Sequence, residues 1–281
     1  MTQPGLGHAG LPATSATGAG VVVAVLDTGI APAHSAFTSR IAPGGYDVVG
    51  RDASPTEARN NVDDNGNGLV DEAYGHGTYV AGIVALVAPR AHILPVRVLD
   101  TDGSTTAFRV LQGVERAVTA DADVLNLSLG GTYLGTIVEQ RFERLLEDNV
   151  LVVAAAGNEA TVELRYPAAA AGVLGVTAVD GRDGLVADFA NTGSWIDIAA
   201  PGVRIVSAWP GGRYATWGGT SAAAPVAAGA IALVRQLLPT APGTDVVDRL
   251  TATARPDGLP NVSAYGRIDV SAAVAQASGS K

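Results

Sequence analysis

The 281-residue chain has no cysteine, and it has one methionine, Met1, and one lysine, Lys281. Without cysteine there is no disulfide, thiolate metal site or thiol nucleophile, and the redox compartment stays open. Positive charge is also scarce: the net charge is −9, the arginines are scattered and there is no basic run. A nucleic-acid partner is therefore not expected, because nucleic acids are bound by clustered basic side chains.

Targeting signals and long hydrophobic runs are missing as well. The first twenty residues, MTQPGLGHAGLPATSATGAG, lack the charged and apolar regions of a signal peptide. We expect any export signal or pro-segment to lie outside this chain. No apolar run approaches the roughly 18 residues of a transmembrane helix, so no membrane partner is expected either.

Short β-branched runs alternate with segments of helical periodicity. The runs predict buried strands at Val21–Leu26, Ile93–Leu99, Val124–Leu129, Val150–Ala154 and Val173–Val179. Helical spacing predicts helices at His76–Val87, Thr106–Thr119 and Ile137–Asn149, and a long small-residue helix through Val226, Ala230, Val234 and Leu237. This alternation is typical of a parallel sheet with helices on both faces, and it predicts an α/β fold. We expect one domain over residues 1–281, with 1–17 loosely ordered.

The first apolar run, VVVAVL, ends in Asp27-Thr28-Gly29. A buried carboxylate is costly unless it is paired, and two protease chemistries place an aspartate in such a setting. Asp-Thr-Gly is the signature of aspartic proteases, whereas an aspartate at the end of a strand can orient a histidine beside a nucleophilic serine. Aspartic proteases are all-β and need two such segments or a homodimer. One segment and a helix-rich pattern make the aspartic alternative remote.

Four histidines could partner this aspartate: His8, His34, His76 and His92. His76 stands in YGHGTYVAG, where a helix is predicted to begin and flanking glycines allow other groups to approach the ring. Taken alone, a histidine at a helix start is usually an ordinary polar surface residue. His34 follows Asp27 by seven residues and is expected on a loop near it, as a weaker candidate.

A nucleophile is suggested by GGTSAAAPVAAG, which places Ser221 at the start of the long helix. Free backbone N–H groups and the helix dipole favour a developing oxyanion there, although an ordinary N-cap is the alternative for such a serine. Asn158, in AAAGNE after a buried strand, could direct its side-chain N–H at the same oxyanion or be a plain turn residue. The segment NLSLG, ending at Gly130, offers backbone for an extended peptide to pair with.

In the order Asp, His, Asn, Ser, these motifs resemble those of the subtilisin-like serine proteases, from Gly18 to about Ala275. Asp27 matches the Asp-[Ser/Thr]-Gly segment of that family, His76 its His-Gly-Thr segment and Ser221 its Gly-Thr-Ser-x-Ala-x-Pro segment. The resemblance implies a three-layer α/β/α sandwich around a mostly parallel central sheet of about seven strands. Ala222 departs from the family pattern, because many members carry methionine beside the nucleophile.

The resemblance also implies a role for each matched residue. Ser221 would attack the scissile carbonyl, His76 would relay the proton and Asp27 would orient the imidazole. Asn158 and the backbone N–H of the nucleophile would form the oxyanion hole. The implied substrate-binding residues lie on two walls of the primary pocket and beside the bound peptide: Ser128, Leu129 and Gly130; Ala155, Ala156 and Gly157; Gly103, Ser104 and Thr105.

We therefore expect a serine endopeptidase acting on polypeptide substrates through an acyl-enzyme, as a monomer that is extracellular by family resemblance. A dedicated maturation protease or peptide macrocyclase with one partner substrate is an alternative within the same chemistry. A catalytically dead binding scaffold is a third, opposed by the complete residue set. Small residues around the pocket suggest room for an apolar side chain at P1, the residue before the scissile bond, although Glu163 and Arg165 could change that preference.

The decapeptide DDNGNGLVDE at positions 63–72 follows the opening of a calcium loop, D-x-[DN]-x-[DN]-G. Tyr74 occupies the position of the usual bidentate glutamate, and a polar turn without metal is the alternative. We predict a structural Ca²⁺ with no catalytic metal or organic cofactor. The predicted ligands are Asp63, Asn65, Asn67, the carbonyl of Leu69, and Asp71.

Overall fold

The computed structural model describes residues 4–9, 16–256 and 261–279. Its strands are β1 (Val22–Asp27), β2 (Tyr46–Asp47), β3 (His92–Arg97), β4 (Val124–Leu127), β5 (Leu151–Ala155), β6 (Val173–Val179), β7 (Ile198–Pro201), β8 (Ile205–Trp209) and β9 (Arg213–Trp217). Its α-helices are α1 (His76–Val87), α2 (Ala107–Thr119), α3 (Thr136–Glu147), α4 (Thr220–Leu237), α5 (Gly243–Ala252) and α6 (Val270–Ser278). Two 3-10 helices span Pro4–Ala9 and Ser35–Phe37.

Seven strands form one sheet in the order β2-β3-β1-β4-β5-β6-β7, and all neighbouring pairs are parallel. Strands β8 and β9 form a separate antiparallel hairpin. The predicted α/β fold with about seven mostly parallel strands is confirmed. Because parallel strands end at the same edge, Asp27 at the end of β1 lies on the same side of the sheet as the segments that follow β4 and β5.

Both faces of the sheet are buried, in two separate hydrophobic cores. In β1, Val23 and Val25 face one core, which includes α1 and α4, and Ala24 and Leu26 face the other, which includes α2 and α3. Burial on both faces explains why the central strands read as uninterrupted apolar runs. The three layers predicted from the family resemblance are present.

Two observations differ from the sequence-based expectations. Residues 4–9 were expected to be loosely ordered, yet they form a 3-10 helix with Leu6 and Ala9 buried, whereas residues 10–15 lie outside the described part. Helix α4 is long and apolar enough to cross a membrane by length and composition, contrary to the expectation that no segment qualifies. It is instead a core helix, with 83% of it buried inside the protein.

Candidate active site

Asp27 and His76 are in direct contact at the carboxyl end of β1. His76 is the first residue of α1, and its Nδ1 lies 2.7 Å from Asp27 Oδ1. The same oxygen accepts the N–H of Thr28 at 2.7 Å. Asp27 is fully buried, whereas the side chain of His76 is 15% exposed and lines a cleft. The buried carboxylate therefore contacts one ring nitrogen, and the exposed part of the imidazole faces the cleft.

The contact depends on the glycine that follows the histidine. A Cβ at Gly77 would lie only 2.0 Å from the carbonyl oxygen of Gly29 and 3.2 Å from Cβ of Asp27. Any larger residue would push α1 away from the end of β1. This is the close approach that the glycines around His76 led us to expect.

A buried carboxylate that the sequence analysis missed lies beside this pair. Glu57 Oε1 accepts the hydroxyl of Thr28 at 2.5 Å and the N–H of Gly75 at 2.7 Å. Glu57 Oε2 accepts the hydroxyl of Thr78 and its N–H, the latter at 3.3 Å. Burial raises the pKa of Glu57, and hydrogen bonds from the two threonines offset part of that rise. The threonines of the Asp-Thr-Gly and His-Gly-Thr motifs were the signal that could have revealed an acceptor here.

The electrostatics of the site favour protonation of the imidazole. Burial alone would lower the pKa of His76, but the charge and hydrogen bond of Asp27 outweigh it and the charge of Glu57 adds to them. The pKa of His76 is therefore raised above its ordinary value. An imidazolium formed here by proton uptake would be stabilised, as a general base requires.

Ser221 is the second residue of α4, where backbone N–H groups have no partner inside the helix. Its Oγ donates to the carbonyl of Ser128 at 3.3 Å, and Ser128 Oγ donates to the carbonyl of Ser221 at 2.9 Å. Asn126 in β4 donates from Nδ2 to Ser128 Oγ at 3.0 Å. These bonds tie the start of α4 to the segment after β4, so that residues 93 positions apart meet at one edge of the sheet.

The orientation of the Asn158 amide is fixed by Thr220. Asn158 Oδ1 accepts the N–H of Thr220 at 2.8 Å and its hydroxyl at 3.0 Å. Since a backbone N–H can only donate, the side-chain oxygen must face Thr220. The NH₂ group is thereby left for the cleft that Asn158 and Ser221 both line.

Two adjoining clefts contain most of the predicted substrate-binding residues. The first, of about 410 Å³, is lined by His76, Gly103, Ser104, Thr105, Ser128, Leu129 and Gly130 among others. The second, of about 540 Å³, is lined by Ser128, Leu129, Gly130, Ala155, Gly157, Asn158 and Ser221 among others. Ala156 lines neither: its side chain is fully buried, and its N–H donates to the carbonyl of Val176 at 2.9 Å.

The other histidines do not join the site. His34 is 3% exposed, its Nδ1 accepts the N–H of Ala36 at 3.1 Å, and its Nε2 is 2.9 Å from the carbonyl of Arg213. The ring is therefore neutral with its proton on Nε2, and it links a loop to β9. His92 is an exposed residue at the start of β3. The side chain of His8 lies outside the described residues.

The predicted calcium loop is only partly assembled. The Asp63 carboxylate accepts backbone N–H groups from residues 66, 67 and 68 at 2.7, 3.1 and 2.8 Å, which lowers its pKa. The amides of Asn65 and Asn67 donate to Glu72. The N–H of Leu69 donates to Asn67 Oδ1 at 2.8 Å.

Asp71, also predicted as a ligand, turns away from this loop. Its side chain has no exposed surface, and its Oδ1 accepts the N–H of Asn60 at 2.9 Å and that of Asn61 at 3.3 Å. Burial raises the pKa of Asp71, but these bonds, a hydrogen bond from Thr101 and the charge of Arg59 together outweigh burial, so the pKa is lowered. Glu72, and not Asp71, therefore lies beside Asn65 and Asn67 in the loop. Within the described ranges, no three His, Cys, Asp or Glu side chains are grouped to hold a metal.

Comparisons with known proteins agree with the fold and with the family resemblance. The model of the subtilase family matches residues 18–269. Subtilisin E from Bacillus subtilis (strain 168) is 36% identical over 270 residues, which cover 92% of this chain and 66%, just under two thirds, of that relative. Subtilisin Savinase from Lederbergia lenta is 37% identical over 266 residues, covering 92% of this chain and 91% of the relative.

Solved structures give the same picture. The structure described as proteases from Pseudoalteromonas arctica PAMC 21717 is similar with a TM-score of 0.82 and 32% identity, over 94% of this chain and 91% of that one. A cold-adapted subtilisin-like serine proteinase gives a TM-score of 0.77 and 30% identity, over 90% of each chain. The likeness therefore extends along nearly the whole described chain.

Proposed function

This chain belongs to the subtilase family, and on that premise we propose that it is a serine endopeptidase whose catalytic residues are Asp27, His76 and Ser221. The observation that carries the proposal is the 2.7 Å contact that fixes His76 on a buried carboxylate at a cleft edge. The nucleophile candidate lies on the adjoining cleft, at the start of α4, where its own N–H has no partner inside the helix. Together these supply a base, a group that orients the base, and a site for negative charge.

The proposed reaction begins when Ser221 Oγ attacks the scissile carbonyl and its proton passes to His76. The imidazolium is stabilised by Asp27, and the oxyanion of the tetrahedral intermediate accepts hydrogen bonds from the Asn158 NH₂ group and the Ser221 N–H. The C–N bond then breaks as His76 gives the proton to the leaving amine. Water, deprotonated by the same imidazole, cleaves the acyl-enzyme and restores the serine.

We further propose that the peptide substrate runs along the two clefts. Residues Ser128–Gly130 border both clefts, so their backbone is placed to pair with an extended chain. Gly103–Thr105 border the first cleft on its other side. Ala156 is dropped from the predicted substrate contacts because it is buried behind the cleft wall.

A structural Ca²⁺ is proposed for the loop at 63–72, with a corrected set of ligands. Carboxylate and amide oxygens suit Ca²⁺, and Asp63, Asn65, Asn67 and Glu72 lie together there. The two amides now donate to Glu72 and would have to turn their oxygens inward. A bound ion would neutralise the carboxylates and stabilise the loop, and the acyl-transfer steps do not require it.

We also propose that the chain is one domain, since both hydrophobic cores share the same sheet. A monomeric, extracellular protease matured from a longer precursor is proposed from the family resemblance alone.

Labelling with a fluorophosphonate tests the catalytic assignment. The probe should modify Ser221 alone, and Ser221→Ala should lose about 10⁶-fold in kcat, the loss known for the nucleophile of a subtilisin. Ser194→Ala is the control, because Ser194 is an exposed serine that borders neither cleft. Labelling at another residue, or full activity in Ser221→Ala, would reject the proposal.

A further inference from the structure

One cationic side chain lies in the cleft that Asn158 and Ser221 line. Among the described residues around this cleft, Arg165 alone carries positive charge, and its side chain is only 14% exposed. Its stem packs against Gly157, where an added Cβ would lie 3.3 Å from Arg165 Cγ. Arg165 therefore lines the cleft with its stem, and most of its side chain is withdrawn from solvent.

The backbone next to this arginine is fixed to the facing wall. The N–H of Tyr166 donates to the carbonyl of Gly131 at 2.8 Å, and the N–H of Gly131 donates to the carbonyl of Tyr166 at 2.9 Å. Arg165 is thus held between the wall formed by Gly157 and the wall that includes Gly131. A P1 side chain entering between these walls would come close to Arg165.

A substrate group could replace the present partners of the guanidinium with little loss of free energy. Arg165 Nε lies 3.4 Å from Glu159 Oε2, and Nη1 lies 3.3 Å from Glu163 Oε2 and donates to the carbonyl of Leu164 at 3.3 Å. These glutamates are 53% and 72% exposed, so water and salt screen both ion pairs. Glu159 keeps another donor in any case, because Asn191 Nδ2 donates to the same oxygen at 2.7 Å. Arg165 Nη2 makes no hydrogen bond to any described residue.

We propose that Arg165 receives the P1 side chain and makes the enzyme prefer glutamate over glutamine at P1. The inference rests on the proposed function, in which Ser221 is the nucleophile of this cleft. A carboxylate between the two walls would form charge-assisted hydrogen bonds with the planar guanidinium, which an uncharged amide cannot match. Glu159 also borders the cleft and limits the preference, whereas Glu163 does not border it. This preference for glutamate would replace the apolar P1 preference that the small residues of the cleft walls led us to expect.

The test compares four peptides that differ only at P1, with Glu, Gln, Lys or Phe, at low ionic strength. We expect kcat/KM for Glu to exceed that for Gln by about tenfold, as a charge-assisted hydrogen bond favours. The ratio should fall toward one as salt is raised to about 1 M, where the Debye length is near 3 Å. Arg165→Gln should bring the ratio to one or below, because Glu159 then repels the substrate.

Two further variants test whether the Glu-to-Gln ratio depends on the charges around Arg165. Glu163→Gln should raise the ratio slightly, since a competing carboxylate is gone. Arg182→Gln is the matched control: Arg182 is also paired with a carboxylate, at 3.0 Å from Asp180, but borders neither cleft, and it should leave the ratio unchanged.

The outcomes separate this inference from the proposed function. Rapid cleavage after Phe or Lys with a Glu-to-Gln ratio of one or less overturns the inference and leaves the protease assignment standing. An equal loss in Arg182→Gln overturns it too, because general charge would then explain the ratio. Failure to cleave any peptide, with no labelling of Ser221, rejects both. If Arg165→Gln does not fold, the Glu-to-Gln ratio is measured in Arg165→Lys and in the unchanged enzyme at low and high salt. A ratio above one that does not respond to salt then overturns the inference.

Discussion

Two acidic regions precede His76 in the chain, and they are built in opposite ways. Glu57 is a single carboxylate, 6% exposed, that accepts hydrogen bonds from three residues. The loop at 63–72 contains four carboxylates, of which Asp63 and Glu72 accept hydrogen bonds from within the loop. The carboxylates that raise the pKa of His76 are Asp27 and Glu57, and none is in the loop. Position in the fold, and not the number of charges, determines which acid acts on the imidazole.

Truncating the buried acid should have the largest effect. Glu57→Ala leaves buried donors of Thr28, Gly75 and Thr78 without an acceptor, and each costs about 1–3 kcal/mol. We expect a large fall in the melting temperature, measured by thermal unfolding, with or without calcium. Glu115→Ala, which removes a half-exposed carboxylate from an ion pair with Arg141, should change it little. Similar falls in both variants would show that the burial of Glu57 does not set it apart from an exposed carboxylate.

Neutralising the buried acid without truncation should change the pH dependence of activity. His76 acts as a base only when neutral, and the charge of Glu57 helps to keep the pKa of His76 above its ordinary value. In Glu57→Gln that pKa falls, so the acidic limb of the kcat/KM profile should move to lower pH. Glu72→Gln serves as the control and should leave the limb in place. A limb that stays fixed or moves to higher pH in Glu57→Gln would show that this carboxylate does not act on the imidazole.

Removing calcium should affect the loop and spare the pH profile. Binding to the folded state adds roughly 2.7 kcal/mol at a hundredfold excess of ion over Kd. EDTA should therefore lower the melting temperature and speed autolysis near residues 63–72, and Asp63→Ala should abolish this difference. Asp71→Ala should instead lower the melting temperature with and without calcium, because Asp71 caps the N–H groups of Asn60 and Asn61. A melting temperature that ignores EDTA and added calcium would leave the loop as a polar turn.

The smallest expected effect is that of peroxide, which should spare both regions. The chain has no cysteine, and its one methionine is Met1. Ala222, beside the proposed nucleophile, is fully buried and cannot be oxidised. Activity measured after exposure to dilute peroxide should stay near its starting value. Rapid inactivation of a protein that remains folded would mean that another group near the site is oxidised.

The central strands and the helices α1 to α4 were predicted from the sequence, whereas β7, α5 and α6 were not predicted although each contributes buried residues to a core. Helix α1 begins and ends where its apolar spacing predicted, because nearly all of its side chains are buried. Strand β9 was not predicted, because its side chains are mostly exposed and its sequence contains no apolar run. The two-residue strand β2 is too short to carry a pattern.

The missed parts of the site depend on contacts between distant residues. The partners of Glu57 lie 18 to 29 positions away, and no local motif contains both sides of these bonds. The spacing of the calcium motif does not show whether Asp71 or Glu72 faces the loop. Asp71 has a φ of +53°, in the left-handed region, and this backbone conformation turns its side chain out of the loop. Which neighbour faces inward is decided by backbone conformation, and the residue spacing of the calcium motif does not encode it.

The burial of α4 has a consequence for how the protein loses activity. Ser221 lies on a helix that packs in the core over most of its length, so moving it requires opening that core. Amide hydrogens in the middle of α4 should exchange with solvent only through global unfolding, whereas those of the loop at 63–72 should exchange through local opening. Proteolytic cleavage of the loop at 63–72 and displacement of Ser221 from the site are therefore separate events. A nicked chain would keep Ser221 in place until the core itself unfolds.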